Sequence, residues 1–93
     1  MTYSLRFHEK ALKEWRALDA AVQARLKAKL AERLEHPRVE ADRLHGQRDR
    51  YKIKLKRPGL RLVYEVADQT VTVTVIAVGK REGGAIYSSA GKR

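Results

Sequence analysis

Two alternating stretches flank a helical one, and that order predicts an α+β domain: a small antiparallel sheet with a two-helix hairpin packed on one face. Three observations carry the prediction. Tyr3, Leu5 and Phe7 alternate with polar neighbours near the start. Residues 8–35 place apolar side chains at helical spacing. Residues 50–78 return to a period of two, interrupted twice by turn-forming residues. A chain of 93 residues has room for one core, so a single domain spanning 1–93 is expected.

The first strand runs from Thr2 to Phe7. His8 to Leu18 then turns helical, with Ala11, Trp15 and Leu18 on one stripe and Leu12 beside it. Asp19 suits an N-cap, since its carboxylate can accept from the first free N–H groups of a helix starting at Ala20. Val22, Leu26, Leu30 and Leu34 recur every four residues in that helix, and Pro37 ends it. His36 to Gln47 lacks a period and reads as loop. A short link between two amphipathic helices makes a hairpin that covers one sheet face.

From Arg50 the pattern is a three-stranded meander. Its second strand is Leu60 to Val66 and its third Thr70 to Val78, with Arg57-Pro58-Gly59 and Asp68-Gln69 as turns. Burying one consistent face sets Leu55 opposite Leu62, Ile53 opposite Tyr64 and Tyr51 opposite Val66. Leu62 then faces Val75, and Tyr64 faces Val73. Lys52, Lys54, Lys56 and Arg61 share the other face, Glu65 falls opposite Lys52, and Thr74, Ile76 and Val78 join that face too. The third strand turns apolar on both sides toward its end, as a central strand does. Gly79-Lys80-Arg81 follows it at once. The tail, about 82–93, carries Gly83, Gly84 and Gly91 and reads as flexible, with at most a short, weak helix around Tyr87.

Charge narrows the function. The net charge is +10, and Arg48 to Arg61 alone holds seven basic residues and one acid. A row of ammonium groups on one sheet face repels itself, so a scaffold without a use for it would mix in carboxylates. Such a field points to a polyanionic partner. No cysteine is present, which excludes disulfides and thiolate metal sites and fits a cytoplasmic location. Nothing resembles a signal peptide or membrane span. His8, His36 and His45 are scattered, without a metal-binding or hydrolase motif, so neither metal nor cofactor is expected.

A cationic face with aromatic residues nearby suits RNA. To cut RNA through its own 2′-hydroxyl, the face would need a base, cations to stabilise a dianionic phosphorane, and an acid for the leaving 5′-oxygen. Lysine and arginine serve the second need directly. Lysine serves the first badly, with an ordinary pKa of ~10.4, unless like charges crowd it downward. On composition alone, binding without cleavage and cleavage both stay open.

The residues also carry a resemblance. ALKEW near the start, LHGQRDRYKIKL in the middle, then GLRLVYEV and VIAVGKRE with a following tyrosine are similar to the RelE toxins of toxin–antitoxin pairs. The similarity runs from Tyr3 to about Tyr87. It implies a small antiparallel sheet with two helices on one face. It also implies a metal-independent endoribonuclease that cleaves mRNA in the ribosomal A site and stops translation. By the resemblance Lys52 is the general base, while Lys54 and Arg61 hold the scissile phosphate. Arg81 stabilises the phosphate or protonates the leaving group. Tyr87 stacks on a base and orients the 2′-hydroxyl, or acts as a base itself. Lys56, Arg50, Lys80, His45, Arg25, Lys27 and Arg33 are expected to contact RNA around this set.

Two departures shape these expectations. An arginine often stands in the family where this chain has His45. The glycine-rich tail is expected to order Tyr87 only when RNA is bound. The implied partners are a RelB-like antitoxin, the 70S ribosome with its mRNA, and operator DNA through the antitoxin complex alone. Two rival readings share the sequence features: a ParE-like gyrase poison, whose relatives generally lack the Lys52, Lys54, Arg61, Arg81 and Tyr87 set, and a ribosome-binding module that does not cut.

Overall fold

The structure is a computed structural model describing residues 2–80 and 85–93. Along the chain come β1 (Ser4–Phe7), α1 (Glu9–Arg16), α2 (Ala20–Glu35), β2 (Arg50–Leu55), β3 (Leu60–Ala67), β4 (Thr72–Lys80) and α3 (Ala85–Gly91). Local chemistry sets the helix starts. Asp19 Oδ1 accepts from the Val22 N–H at 2.9 Å, and His8 Nδ1 accepts from the Lys10 N–H at 3.1 Å, each satisfying a donor with no partner inside the helix. His8 is thus a cap. α2 stops at Glu35, two residues before Pro37, as the sequence predicts.

The strand order is β1-β4-β3-β2. β2, β3 and β4 form the expected antiparallel meander. β1 pairs with β4 in parallel, which makes the sheet mixed at that edge. The reason is topological: the α1–α2 hairpin carries the chain across the sheet before the meander begins, so β4 returns beside β1. β4 is central, which accounts for its nearly continuous apolar run.

The register differs from expectation by two residues. Tyr51 lies opposite Tyr64, Ile53 opposite Leu62 and Leu55 opposite Leu60. A slip of two leaves every side chain on its own face, so alternation cannot detect it. The link between β2 and β3 runs over residues 56–59 and turns through Gly59 at φ +95°. Between β3 and β4, Tyr64 faces Val75 and Val63 faces Ala77, leaving Ile76 without a partner. This bulge reverses the alternation. Val78 therefore packs on the side of α1 and α2, not on the second face as predicted.

Two cores result. The larger lies between the sheet and the α1–α2 layer, where Leu26 and Leu30 meet Ile53, Leu62, Tyr64 and Val75. The smaller lies on the opposite face, where Ile86 and Ala90 of α3 cover Val63, Ile76 and Ala77, with Leu44 at the side. α3 is short, at seven residues, and its docking gives the second face a covered half. The stretch 36–47 holds a 3-10 turn at Glu40–Asp42 and an isolated bridge from Arg43 to Tyr51.

Candidate active site

Directly opposed residues in an antiparallel pair point to the same face. Lys54 faces Arg61, and Arg61 faces Gly79 across the next strand. One row further, Lys52 faces Val63, and Val63 faces Ala77. Val63 and Ala77 belong to the core under α3. Lys52, Lys54 and Arg61 therefore stand on the face that α3 half covers, as the sequence predicts. At Gly79 an added Cβ would lie 3.4 Å from Ile86 Cδ1. The absence of a side chain there lets α3 sit close to the Lys54–Arg61 row. Tyr87, the next residue, packs half-buried against the same core.

None of the ion pairs among the described residues involves Lys52, Lys54, Lys56 or Arg61. Glu65 does not oppose Lys52, as the register predicted. It lies opposite Arg50 and pairs with that guanidinium at 3.2 Å. The two-residue shift moves the one nearby carboxylate of β3 a full row from Lys52. The arrangement is a cationic clamp: two cations in direct opposition, a third beside them, and an aromatic residue on the helix alongside. It suits an anion with several oxygens, such as a phosphodiester whose charge rises during reaction. Among the described residues no group of three or more histidines, cysteines or carboxylates could hold a metal ion.

The other predicted contacts fall into two groups. Lys56 is exposed in the β2–β3 turn, and Lys80 is exposed at the end of β4. Arg25 is exposed on α2 and its Nη1 donates to Arg57 O at 2.7 Å, while Lys27 is exposed on the same helix. His45 is exposed in the loop before β2, beside a shallow cavity of about 550 Å³ lined also by Glu40, Arg43 and Arg48. Arg33 and Arg50 are placed differently. Arg33 lies on the first-core side, bound to Asp42 at 2.6 Å, to the Tyr64 hydroxyl at 2.9 Å and to Lys52 O at 3.2 Å. Burial pulls its pKa down, but Tyr64 and Asp42 outweigh that and raise it above the ordinary value. Arg50 spans from Glu65 to the backbone of α3. Arg81 lies outside the described residues.

Sequence reasoning missed three residues around α3. Gln47 Nε2 donates to Tyr87 O at 3.2 Å. Arg93 pairs with Glu14 of α1 at 2.8 Å and donates to Ile76 O at 2.9 Å. No local pattern announces contacts 40 or 79 residues apart.

Comparison with known proteins places this geometry. A family model described as the ParE toxin of the type II toxin–antitoxin system parDE matches residues 5–83, well over half the chain. The mRNA interferase toxin RelE of Escherichia coli is 57% identical over 93 residues, covering 100% of this chain and 98% of that protein. A putative RelE-like toxin protein of E. coli is 44% identical over the same span. Among solved structures, a variant of E. coli RelE in the free state superposes with a TM-score of 0.92 at 56% identity, covering 100% of this chain and 98% of that one. The toxin of the intact E. coli RelBE toxin–antitoxin complex gives 0.83 at 57% identity, covering 86% of this chain and 98% of that one. The chain belongs to the ParE/RelE family of type II toxin–antitoxin toxins, on its RelE branch.

Proposed function

We propose that this chain is the toxin of a type II toxin–antitoxin pair and acts as a metal-independent endoribonuclease on mRNA in the ribosomal A site. The observation that carries the reading is the direct opposition of Lys54 and Arg61 with Lys52 on the same face, beside the helix that bears Tyr87. Full-length similarity to an mRNA interferase supports it.

In this reading Lys52 takes the proton of the 2′-hydroxyl, and the freed oxygen attacks the adjacent phosphorus. Lys54 and Arg61 bind the non-bridging oxygens and stabilise the dianionic phosphorane as it forms. The bond to the 5′-oxygen then breaks, with Arg81 supplying positive charge or the proton. The products are a 2′,3′-cyclic phosphate and a free 5′-hydroxyl. Tyr87 stacks on a base and fixes the attacking hydroxyl in line. Lysine is a poor base at neutral pH, so rate depends on receiving a well-placed phosphodiester, which the ribosome provides. Lys56, Lys80, His45, Arg25 and Lys27 serve as outward contacts to RNA. A RelB-like antitoxin neutralises the toxin in this reading, which the similarity to the toxin of the E. coli RelBE toxin–antitoxin complex supports. The +10 charge favours fast association with an acidic partner. The pair would bind operator DNA through the antitoxin, and the toxin would act in the cytoplasm, where its ribosomes are.

Primer extension on a defined message in a purified translation system tests this. Wild type should cut in phase with the A-site codon and only with ribosomes present. Arg61→Ala and Arg81→Ala should each cut on the order of 100-fold more slowly. An uncut message with translation arrested would instead establish a binding module, and normal translation would direct the next assay to gyrase.

A further inference from the structure

We propose that Arg50, braced by Glu65 and assisted by Gln47, is a positioning residue that holds α3 and thereby sets Tyr87 on the cationic face; the proposal rests on the nuclease reading. The need for such a brace follows from α3 itself. Seven residues ending in Gly91 cannot sustain a helix alone, because nucleation is costly and propagation too brief to offset it. Its apolar anchorage is small, Ile86 and Ala90 buried with Tyr87 half-buried beside them. What remains is the set of C-terminal carbonyls, which no intrahelical N–H satisfies.

The carbonyls of Ser88, Ser89 and Ala90 in that set have partners, and Tyr87 O just before them takes an added one. Tyr87 O accepts from Gln47 Nε2 at 3.2 Å. Ser88 O and Ser89 O accept from the Lys92 N–H at 3.3 and 3.2 Å. Ala90 O accepts from the Arg93 N–H at 3.0 Å and from Arg50 Nη1 at 2.5 Å. Arg50 is thus a cation at a helix C-terminus, where both the hydrogen bond and the helix dipole favour it. Its side chain is only 14% exposed. Its other nitrogen meets Glu65 at 3.2 Å, and Gln47 Oε1 accepts from Nη1 at 3.3 Å. A guanidinium fixed on three sides in this way has little left to offer an RNA phosphate.

Glu65 makes the decisive variant, because two roles for Arg50 predict opposite signs. If Arg50 positions α3, Glu65→Gln loosens the brace and lowers kcat. If Arg50 contacts RNA, the same change releases its charge and tightens binding. The experiment measures A-site cleavage kinetics and hydrogen exchange of the free protein for wild type, Arg50→Ala, Arg50→Lys and Glu65→Gln. Circular dichroism verifies that each variant folds. The expected result is a kcat roughly 10- to 100-fold lower for Arg50→Ala at nearly constant KM. Partial rescue by Arg50→Lys and about tenfold faster exchange across residues 88–92 should accompany it. A raised KM for Arg50→Ala with tighter binding by Glu65→Gln would overturn the proposal. So would unchanged exchange in all three variants. A wild type that cuts no message would refute the nuclease reading, and the exchange data would still decide whether Arg50 holds α3.

Discussion

The hydroxyl of Tyr64 donates to Pro37 O at 2.6 Å and accepts from Arg33 Nη1 at 2.9 Å, in a side chain with no exposed surface. Burial pushes this phenol above its ordinary pKa, so it stays a neutral donor throughout the working range. The same residue stacks on Tyr51 with ring centroids 5.7 Å apart. One oxygen therefore ties the end of α2 to the sheet. Tyr64→Phe should keep the stack, leave Pro37 O and one Arg33 N–H without a partner, and cost about 1–3 kcal/mol. Urea denaturation would read the loss, and a midpoint equal to wild type would show that water replaces the hydroxyl. At this scale the sequence was legible where alternation decides a side chain's direction. Lys52, Lys54 and Arg61 landed together because pleat geometry requires it. The pairs of Arg33 with Asp42 and of Arg50 with Glu65 were not legible, since a cation at a polar position looks the same whether it meets solvent or a carboxylate from another element.

Among the elements, hairpin, meander and the Asp19 cap followed from local pattern, while the His8 cap, the register and α3 did not. The shift of two residues in β2–β3 is invisible to alternation, and Ile76 gives no sign that it will bulge. α3 was undervalued because its glycines and short length are real handicaps, and the contacts that offset them come from remote residues. One of these is the pair of Glu14 with Arg93, which joins α1 to the end of the chain across the β4 edge. Glu14 Oε1 also accepts from the Val78 N–H at 3.1 Å, a strand donor that β1 is too short to reach. Burial pushes the Glu14 carboxyl up, but Arg93 and the Val78 N–H together outweigh burial and hold it below its ordinary value. A carboxylate depressed in the folded state contributes stability that is present above the unfolded pKa, ~4.3, and is lost as pH falls through the lower folded value. Asp68, held low by the Tyr3 hydroxyl and by Arg38, adds in the same direction. Thermal stability should thus decline as pH drops below about 4–5, and Glu14→Gln should flatten part of that decline while lowering stability at pH 7. Melting curves of both proteins from pH 7 to pH 3 test this. Parallel declines would remove Glu14 from the account.

For the molecule as a whole, the +10 charge is a sum over cations with different uses. Arg33, Arg38, Arg50 and Arg93 are paired with carboxylates and tie elements together. Arg25 and Lys27 stand outward on α2, Lys54 and Lys56 stand outward at the candidate site, and Lys80 is exposed at the end of β4. Cations of this outward group, with Arg61 beside Lys54, are placed to neutralise phosphates and release their counterions. Ribosome affinity should therefore fall steeply with salt, by about one unit of log K per unit of log salt for each phosphate contact. Replacing Arg25 and Lys27 together by Gln should make that slope shallower by an amount on the order of one to two. Arg38→Gln removes the same kind of charge but should leave the slope unchanged, because Arg38 is engaged by Asp49 and Asp68 at 3.0 and 2.9 Å. Sedimentation with ribosomes across a salt series would measure all three proteins. If Arg38→Gln flattened the slope as much as the α2 pair, net charge rather than placement would govern binding, and the division of the cations into two uses would fail.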